Sequence, residues 1–82
     1  MKIPRNISGS QLAKLLEVYG YEITRQIGSH IRLTTQKNGE HQITLPLLKA
    51  IHIGTLNNIL KAISNHLEID KETLVDELFS TR

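Results

Sequence analysis

Apolar positions recur along this chain with two different periods. The first region has the spacing of one helix face, and it predicts a helix over about residues 10–19 whose apolar stripe is Leu12, Leu15, Leu16 and Tyr19. Ser8, followed three residues later by Gln11, is the pattern of a capping box. Gly20 is typical of the left-handed residue that ends a helix.

Three segments with period-two alternation follow, which predicts three half-buried strands over about residues 21–27, 30–35 and 41–45. Arg25 interrupts the alternation in the first of them. Gly28-Ser29 is expected to turn the chain after the first strand, and Asn38-Gly39 is a hairpin signal after the second. Pro46 ends the third strand.

The register of the hairpin follows from keeping its apolar residues together. A three-residue loop, Lys37-Asn38-Gly39, pairs Leu33 with Ile43 and Ile31 with Leu45, and places Gly39 in the left-handed conformation. A two-residue turn would pair Leu33 with Thr44 and mix the two faces. The opposite face is then expected to be open and polar, and to carry His30, Arg32, Thr34, Gln42 and Thr44.

Helical periodicity returns in the last third of the chain. A second helix is predicted to begin near Gly54-Thr55, with Thr55 as a cap and an apolar stripe that starts at Leu56. A third helix follows Asp70 as its N-cap, and its apolar residues are Leu74, Val75, Leu78 and Phe79. The pattern predicts an α+β fold of order α-β-β-β-α, with helices on one face of a three-stranded antiparallel sheet, plus a short C-terminal helix. We expect one domain over residues 1–67 and a helical extension of it over residues 68–82.

Composition excludes several classes of protein. Eighty-two residues allow one small domain, and the absence of cysteine removes disulfides and thiolate chemistry and fits the reducing cytoplasm. No apolar run approaches the ~20 residues of a membrane span, and the first six residues do not resemble a signal peptide. We therefore expect a cytoplasmic protein, and neither a redox thiol enzyme, a zinc ribbon, a secreted disulfide scaffold nor a membrane protein.

The net charge of +2 conceals an asymmetry between the two ends of the chain. Residues 1–61 hold eight Lys/Arg and three Asp/Glu, a net of +5, whereas residues 62–82 hold two Lys/Arg and five Asp/Glu, a net of −3. A basic body is compatible with an anionic partner such as nucleic acid.

The chemistry available to this chain centres on His30. Histidine titrates near neutrality and can serve as general base or acid in the cleavage of RNA, where cations also stabilise the charge that develops on phosphorus. Arg32 lies two residues further on and projects from the same face. Arg25 and Lys37 are candidates for holding flanking phosphates. From the residues alone, an ordinary solvated strand surface explains the same pattern.

The other histidines have simpler interpretations. We expect His41 at the rim of the apolar sheet face, on the side away from His30. We expect His52 in a loop and His66 in a structural role at a helix end. No carboxylates cluster with any histidine, so the sequence predicts neither a metal site nor a cofactor. An aromatic content of 4% argues against a stacking platform of the kind used by single-strand RNA binders.

Several short segments, in order over about residues 7–66, resemble the HicA toxin family. They are Gly20-Tyr21, Arg25-Gln26-Ile27-Gly28-Ser29-His30, Leu45-Pro46 and Ile53-Gly54-Thr55-Leu56 with Ile59-Leu60. The resemblance implies a fold like that of double-stranded-RNA-binding domains, a ribonuclease that cleaves mRNA, and a HicB-type antitoxin partner that silences it. Because the residues predict no metal site, we expect this endoribonuclease to be metal-independent.

Carried over to this sequence, the resemblance places the active histidine at His30 and the turn that presents it at Gly28 and Ser29. Residues expected to contact RNA are Arg25, Ser29, Arg32, Lys37 and Lys49. The sequence departs from the family in two places. Leu47-Leu48 follows Pro46, where many members carry a polar residue, often histidine, and residues 68–82 are additional.

Two other functions stay open at this point. The first is a non-enzymatic RNA-binding module on the same fold. The second is an interaction protein that forms a homodimer through the C-terminal helix, since the apolar side of that helix must cover either its own core or another chain.

Overall fold

The computed structural model describes residues 3–79 and confirms the α+β fold. A 3₁₀ turn, Leu16–Tyr19, extends the first helix, so the helix predicted over residues 10–19 is α-helical only in its first part. In chain order the helices and strands are α1 (Gly9–Leu15), β1 (Glu22–Ile27), β2 (His30–Thr35), β3 (His41–Pro46), α2 (Ile53–Leu67) and α3 (Lys71–Phe79).

The predicted ends of the first helical region are both present. The Ser8 hydroxyl accepts a hydrogen bond from the Gln11 amide (3.0 Å), and the Gln11 side chain accepts one from the Ser8 amide (2.9 Å). These two bonds satisfy donors that a helix start otherwise leaves free. Gly20 ends the region at φ +82°, a conformation that glycine adopts without steric cost.

The three strands form one antiparallel sheet in the order β1-β2-β3. The register of the hairpin is confirmed, because Leu33 pairs with Ile43 and Ile31 pairs with Leu45. The last bridged pair is Thr35 with His41, so the connecting loop covers residues 36–40 and is longer than the three residues predicted. Asn38 and Gly39 are both left-handed there, at φ 59° and 94°.

β1 departs from the predicted half-buried strand, since all six of its residues are exposed. It lies at an edge of the sheet, and its pairing with β2 shifts between Ile23 and Arg25. Ile23 is opposite Leu33 and Arg25 is opposite Arg32, so Thr24 is an extra residue without a partner. This is a β-bulge, which re-aims the side chains that follow it.

The helices cover one face of the sheet and enclose the core there. Ile31, Leu33, Ile43 and Leu45 on that face are buried together with Leu12 and Leu16 of the first helical region and Leu56, Leu60 and Ile63 of α2. α2 begins at Ile53, with His52 at the N-cap position and no side-chain cap. The prediction that Thr55 caps this helix is therefore wrong, whereas Leu56 packs in the core as predicted.

α3 packs against its own chain. Leu74, Val75 and Leu78 are at most 2% exposed, and the Tyr19 hydroxyl donates a hydrogen bond to Glu77. Burial, and then this bond, raise the pKa of Tyr19. The apolar side of the helix thus covers the chain's own core, and a homodimer through α3 stays an untested prediction. Within residues 3–79 no helix is both long and apolar enough to cross a membrane.

Candidate functional site

His30 is the first residue of β2 and is exposed on the face of the sheet away from the helices. The turn before it depends on Gly28, which has φ +57°, a backbone conformation that other residues adopt at a cost. The carbonyl oxygen of Ser29 accepts a hydrogen bond from the amide of Leu47 (2.6 Å), just after β3. The backbone that leads into His30 is therefore held in place.

Two rows of side chains cross the open face at this end of the sheet. The histidine row consists of Ile27, His30 and Pro46, which are paired across the three strands. The arginine row consists of Arg25, Arg32 and Thr44, paired in the same way. The rows are separated by two residues of β2, or about 7 Å.

The two rows meet in a shallow depression lined by Arg25, Ile27, His30, Ile31, Arg32 and Thr44. Like charges placed directly opposite one another in a sheet are destabilising, and Arg25 and Arg32 are such a pair. An anion bound between the two guanidinium groups would relieve this repulsion. The structure thus brings together three predicted site residues, His30, Arg25 and Arg32, around a position suited to a phosphate.

The bulge at Thr24 explains why Arg25 belongs to this face. In a strand of uniform alternation, Arg25 would share a face with Ile23, which points towards the helices and lines a groove beside α1. The extra residue moves Arg25 and Ile27 to the open face instead. The Thr24 hydroxyl shares a hydrogen bond with the Thr34 hydroxyl (2.8 Å), which ties the bulge to β2.

Lys37 lies far from His30. It belongs to the loop at the opposite end of β2, seven residues further along the chain and about 20 Å away along the strand direction. Its ammonium group lies 5.7 Å from the centre of the Tyr19 ring. The structure therefore does not bring this predicted RNA contact to the histidine.

Ser29 and Lys49 lie at the histidine end of the sheet. Ser29 immediately precedes His30, and Lys49 lies in the loop that follows β3, three residues after Pro46. Both residues are exposed. Leu48 is 42% exposed in the same loop.

The hairpin end of the open face carries carboxylates. Glu22 pairs with Thr34 at the start of β1, and Glu40 accepts a hydrogen bond from the Gln42 side chain (3.2 Å). The open face thus changes from cationic at the arginine row to acidic at the hairpin. An anionic ligand is attracted to the first end and repelled from the second.

His66 has the structural role that the sequence predicted. Its Nε2 lies 2.9 Å from the carbonyl oxygens of both Lys37 and Gly39, and it donates to them. The backbone carbonyl of His66 accepts a hydrogen bond from the Asn38 side chain (2.8 Å). These contacts fasten the hairpin loop to the end of α2.

His41 lies beside His66 at the rim of the inner face, as predicted. The two imidazole rings stack with their centres 4.3 Å apart, and His41 Nδ1 is 2.8 Å from the Tyr21 hydroxyl. Burial, and then the neighbouring His66, lower the pKa of His41. Burial raises the pKa of Tyr21 to about 12, so this hydroxyl keeps its proton at neutral pH.

Among residues 3–79, no group of three or more His, Cys, Asp or Glu side chains is placed to hold a metal ion.

Sequence reasoning did not single out Ile27 as part of this site. It is 61% exposed and lies directly opposite His30. The signal available in the sequence was the break in alternation at Arg25, because a bulge there moves Ile27 to the open face.

The fold and this face define a small α-β-β-β-α domain whose open sheet surface presents one histidine beside a pair of arginines. Residues 9–64 match the family described as HicA toxin of bacterial toxin–antitoxin systems. The chain belongs to the HicA toxin family, and it therefore has the role of a toxin. The match includes His30 and all the predicted RNA contacts, and it ends before α3. No curated protein and no solved structure matches the chain.

Proposed function

We propose that this protein is a cytoplasmic endoribonuclease that cleaves mRNA without a metal ion, and that His30 is its general acid or base. The observation that carries the proposal is the exposed His30 with the paired Arg25 and Arg32 in the next row of the same face. A protein needs few groups to cleave RNA, because the substrate supplies its own nucleophile.

The reaction has one nucleophile and one leaving group. The 2′-oxygen of the ribose attacks the adjacent phosphorus and loses its proton, while the bond from phosphorus to the 5′-oxygen of the next nucleotide breaks and that oxygen gains a proton. The products are a 2′,3′-cyclic phosphate and a 5′-hydroxyl. His30 either accepts the first proton or donates the second.

The arginines act on the charge of the phosphate. Arg25 and Arg32 hold the non-bridging oxygens and stabilise the additional negative charge of the five-coordinate phosphorus in the transition state. Lys49 and Ser29, both at the histidine end of the sheet, contact the RNA chain beyond this phosphate. Lys37, about 20 Å away, is placed to contact only a distant part of a long RNA.

The same face is proposed as the binding site of a HicB-type antitoxin. A protein that covers His30 and the arginine row excludes RNA from both. The cationic end of the face favours a partner with an acidic surface, because opposite potentials steer and orient association.

The experiment is RNA cleavage in EDTA by the wild-type protein and by His30→Ala. His52→Ala is the matched control, since His52 is also an exposed histidine but lies outside the sheet. Loss of general acid–base catalysis lowers kcat by about 10²–10⁴-fold. We expect that loss for His30→Ala, near wild-type activity for His52→Ala, and 2′,3′-cyclic phosphate ends by mass spectrometry.

Three results would contradict the proposal, provided that circular dichroism shows all the proteins to be folded. They are equal cleavage by wild type and His30→Ala, no cleavage by the wild type, and cleavage that EDTA abolishes. Binding of RNA without any cleavage would identify the protein as an RNA-binding module instead.

A further inference from the structure

Ile27 is an exposed apolar residue in the middle of a polar and charged surface. It is 61% exposed and forms the histidine row with His30 on one side, while Arg25 precedes it by two residues on the same face. Side chains directly opposite one another in a sheet are about 5 Å apart. An aliphatic group therefore lies within contact distance of whatever His30 contacts.

The position of Ile27 is a product of the bulge at Thr24. Without the extra residue in the strand, the alternation that begins at Ile23 would turn Ile27 towards the helices. The bulge brings Arg25 and Ile27 to the open face together, and bulges are over-represented where side chains are re-aimed at active sites. The bulge therefore places an exposed apolar side chain beside Arg25 and His30, rather than on the helix side of the strand with Ile23.

We propose that Ile27 is a substrate-contact residue, and that the sugar or base of the nucleotide next to the cleaved phosphate packs against its side chain. This inference rests on the proposed ribonuclease function. If a phosphate is held between Arg25 and Arg32 and the 2′-oxygen of the adjacent ribose lies at His30, the nucleoside of that ribose lies at the histidine row. Ile27 and Pro46 are the apolar surfaces available to it there.

The three aromatic residues of the chain do not lie on the open face, so the apolar contact with the nucleotide falls to an aliphatic side chain. The chain has two tyrosines and one phenylalanine. Tyr19 and Tyr21 are buried, and Phe79 belongs to α3. RNA-binding surfaces commonly stack bases on aromatic rings, and none of these three lies on the open face. Ile27 offers apolar contact area without hydrogen bonds, so its contribution should be largely independent of the base.

The test compares Ile27→Ser with Ile23→Ser. Both residues are exposed isoleucines of β1, at 61% and 57%, but Ile23 points to the helix side of the sheet. Binding is measured by fluorescence anisotropy with a short 2′-O-methyl RNA, which lacks the attacking hydroxyl and is not cleaved. We expect Ile27→Ser to raise Kd about tenfold, which corresponds to about 1.4 kcal/mol, and Ile23→Ser to leave it unchanged.

Salt dependence identifies the kind of contact. An apolar contact releases no counterions, so the slope of log K against log salt should be the same for Ile27→Ser and the wild type. Removal of one phosphate contact by Arg25→Gln should reduce the slope by about 0.7. In cleavage of the unmodified RNA, Ile27→Ser should lower kcat/KM about tenfold and leave the shape of the pH profile unchanged.

The outcomes separate the inference from the function on which it rests. If the wild type neither binds nor cleaves RNA, both the proposed function and this inference are wrong. If the wild type cleaves RNA and the two serine variants bind it equally well, only the inference is overturned. Unchanged RNA binding with weaker binding of a HicB-type antitoxin would also overturn it, and would assign Ile27 to the protein interface.

Discussion

Replacement of Gly9 by alanine is expected to destabilise the protein, although the change favours helix formation. Gly9 is the first residue of α1 and is buried against the end of β3. A Cβ atom at this position would lie 2.2 Å from the carbonyl oxygen of Pro46 and 3.2 Å from the Cα of Leu47. Both neighbours are backbone atoms, so no side-chain rotation relieves the overlap.

The magnitude follows from two opposing effects. Alanine gains at most about 1 kcal/mol over glycine in a helix. The overlap requires a displacement of about 1 Å, and overpacking of this kind costs about 1–3 kcal/mol. The displacement also strains the hydrogen bond from the Gly9 amide to the Leu48 carbonyl (3.0 Å), which is worth about 1 kcal/mol. The net expectation is a loss of about 2 kcal/mol.

The assay is urea unfolding followed by circular dichroism, with Gly54→Ala as the matched control. Gly54 is also in the first turn of a helix, but a Cβ there would meet nothing within 4 Å. Gly54→Ala should therefore raise the free energy of unfolding by up to about 1 kcal/mol. If Gly9→Ala is as stable as the wild type, or if both variants change stability in the same direction, the packing argument is refuted.

Two further predictions concern stability. Leu74→Ala in α3 should lower the free energy of unfolding by about 3 kcal/mol, because Leu74 is fully buried. Val18→Ala, at a residue that is 68% exposed, should change the urea midpoint little. Equal effects of the two substitutions would show that α3 is only loosely packed. Stability should also fall as the pH decreases below the unfolded histidine pKa of 6.5, because the folded pKa of His41 is lowered and the unfolded chain takes up its proton first. Urea midpoints at pH 7.5 and 5.5 measure this loss, and a loss of the same size in His41→Gln would contradict the assignment.

The register of β2 and β3 was predictable because the apolar residues leave one solution. A slip of one residue would turn Leu33 and Ile43 to opposite faces. The face that carries His30 and Arg32 follows from the same constraint. These side chains alternate with buried ones along β2, and a strand of period two has no other place for them.

The start of α2 was less predictable, because it is set by contacts that are distant in sequence. Thr55 is a better capping residue than His52 on local preference alone. However, Ile51 is buried and its amide donates to the carbonyl of Ile7 (2.8 Å). This contact fixes the chain just before the helix, so the helix begins at Ile53 and Thr55 lies within its first turn.

The exposure of β1 could not be inferred from its own residues. Ile23 and Ile27 have the composition of a half-buried strand, but burial depends on what covers the strand. β1 lies at the edge of the sheet, and the bulge separates its two isoleucines onto different faces. The interruption at Arg25 was visible in the sequence, but its interpretation as a bulge required the partner strand.

The distribution of charge over the open face indicates how RNA would cross it in the proposed complex. Arg25 and Arg32 lie side by side across two strands, whereas Glu22 and Glu40 lie towards the hairpin end. An RNA backbone that ran along the strands from His30 to Lys37 would pass these carboxylates, and repulsion between the like charges would weaken its binding. A chain that crosses the strands along the arginine row avoids them, and it keeps His30 and Ile27 beside the same nucleotide.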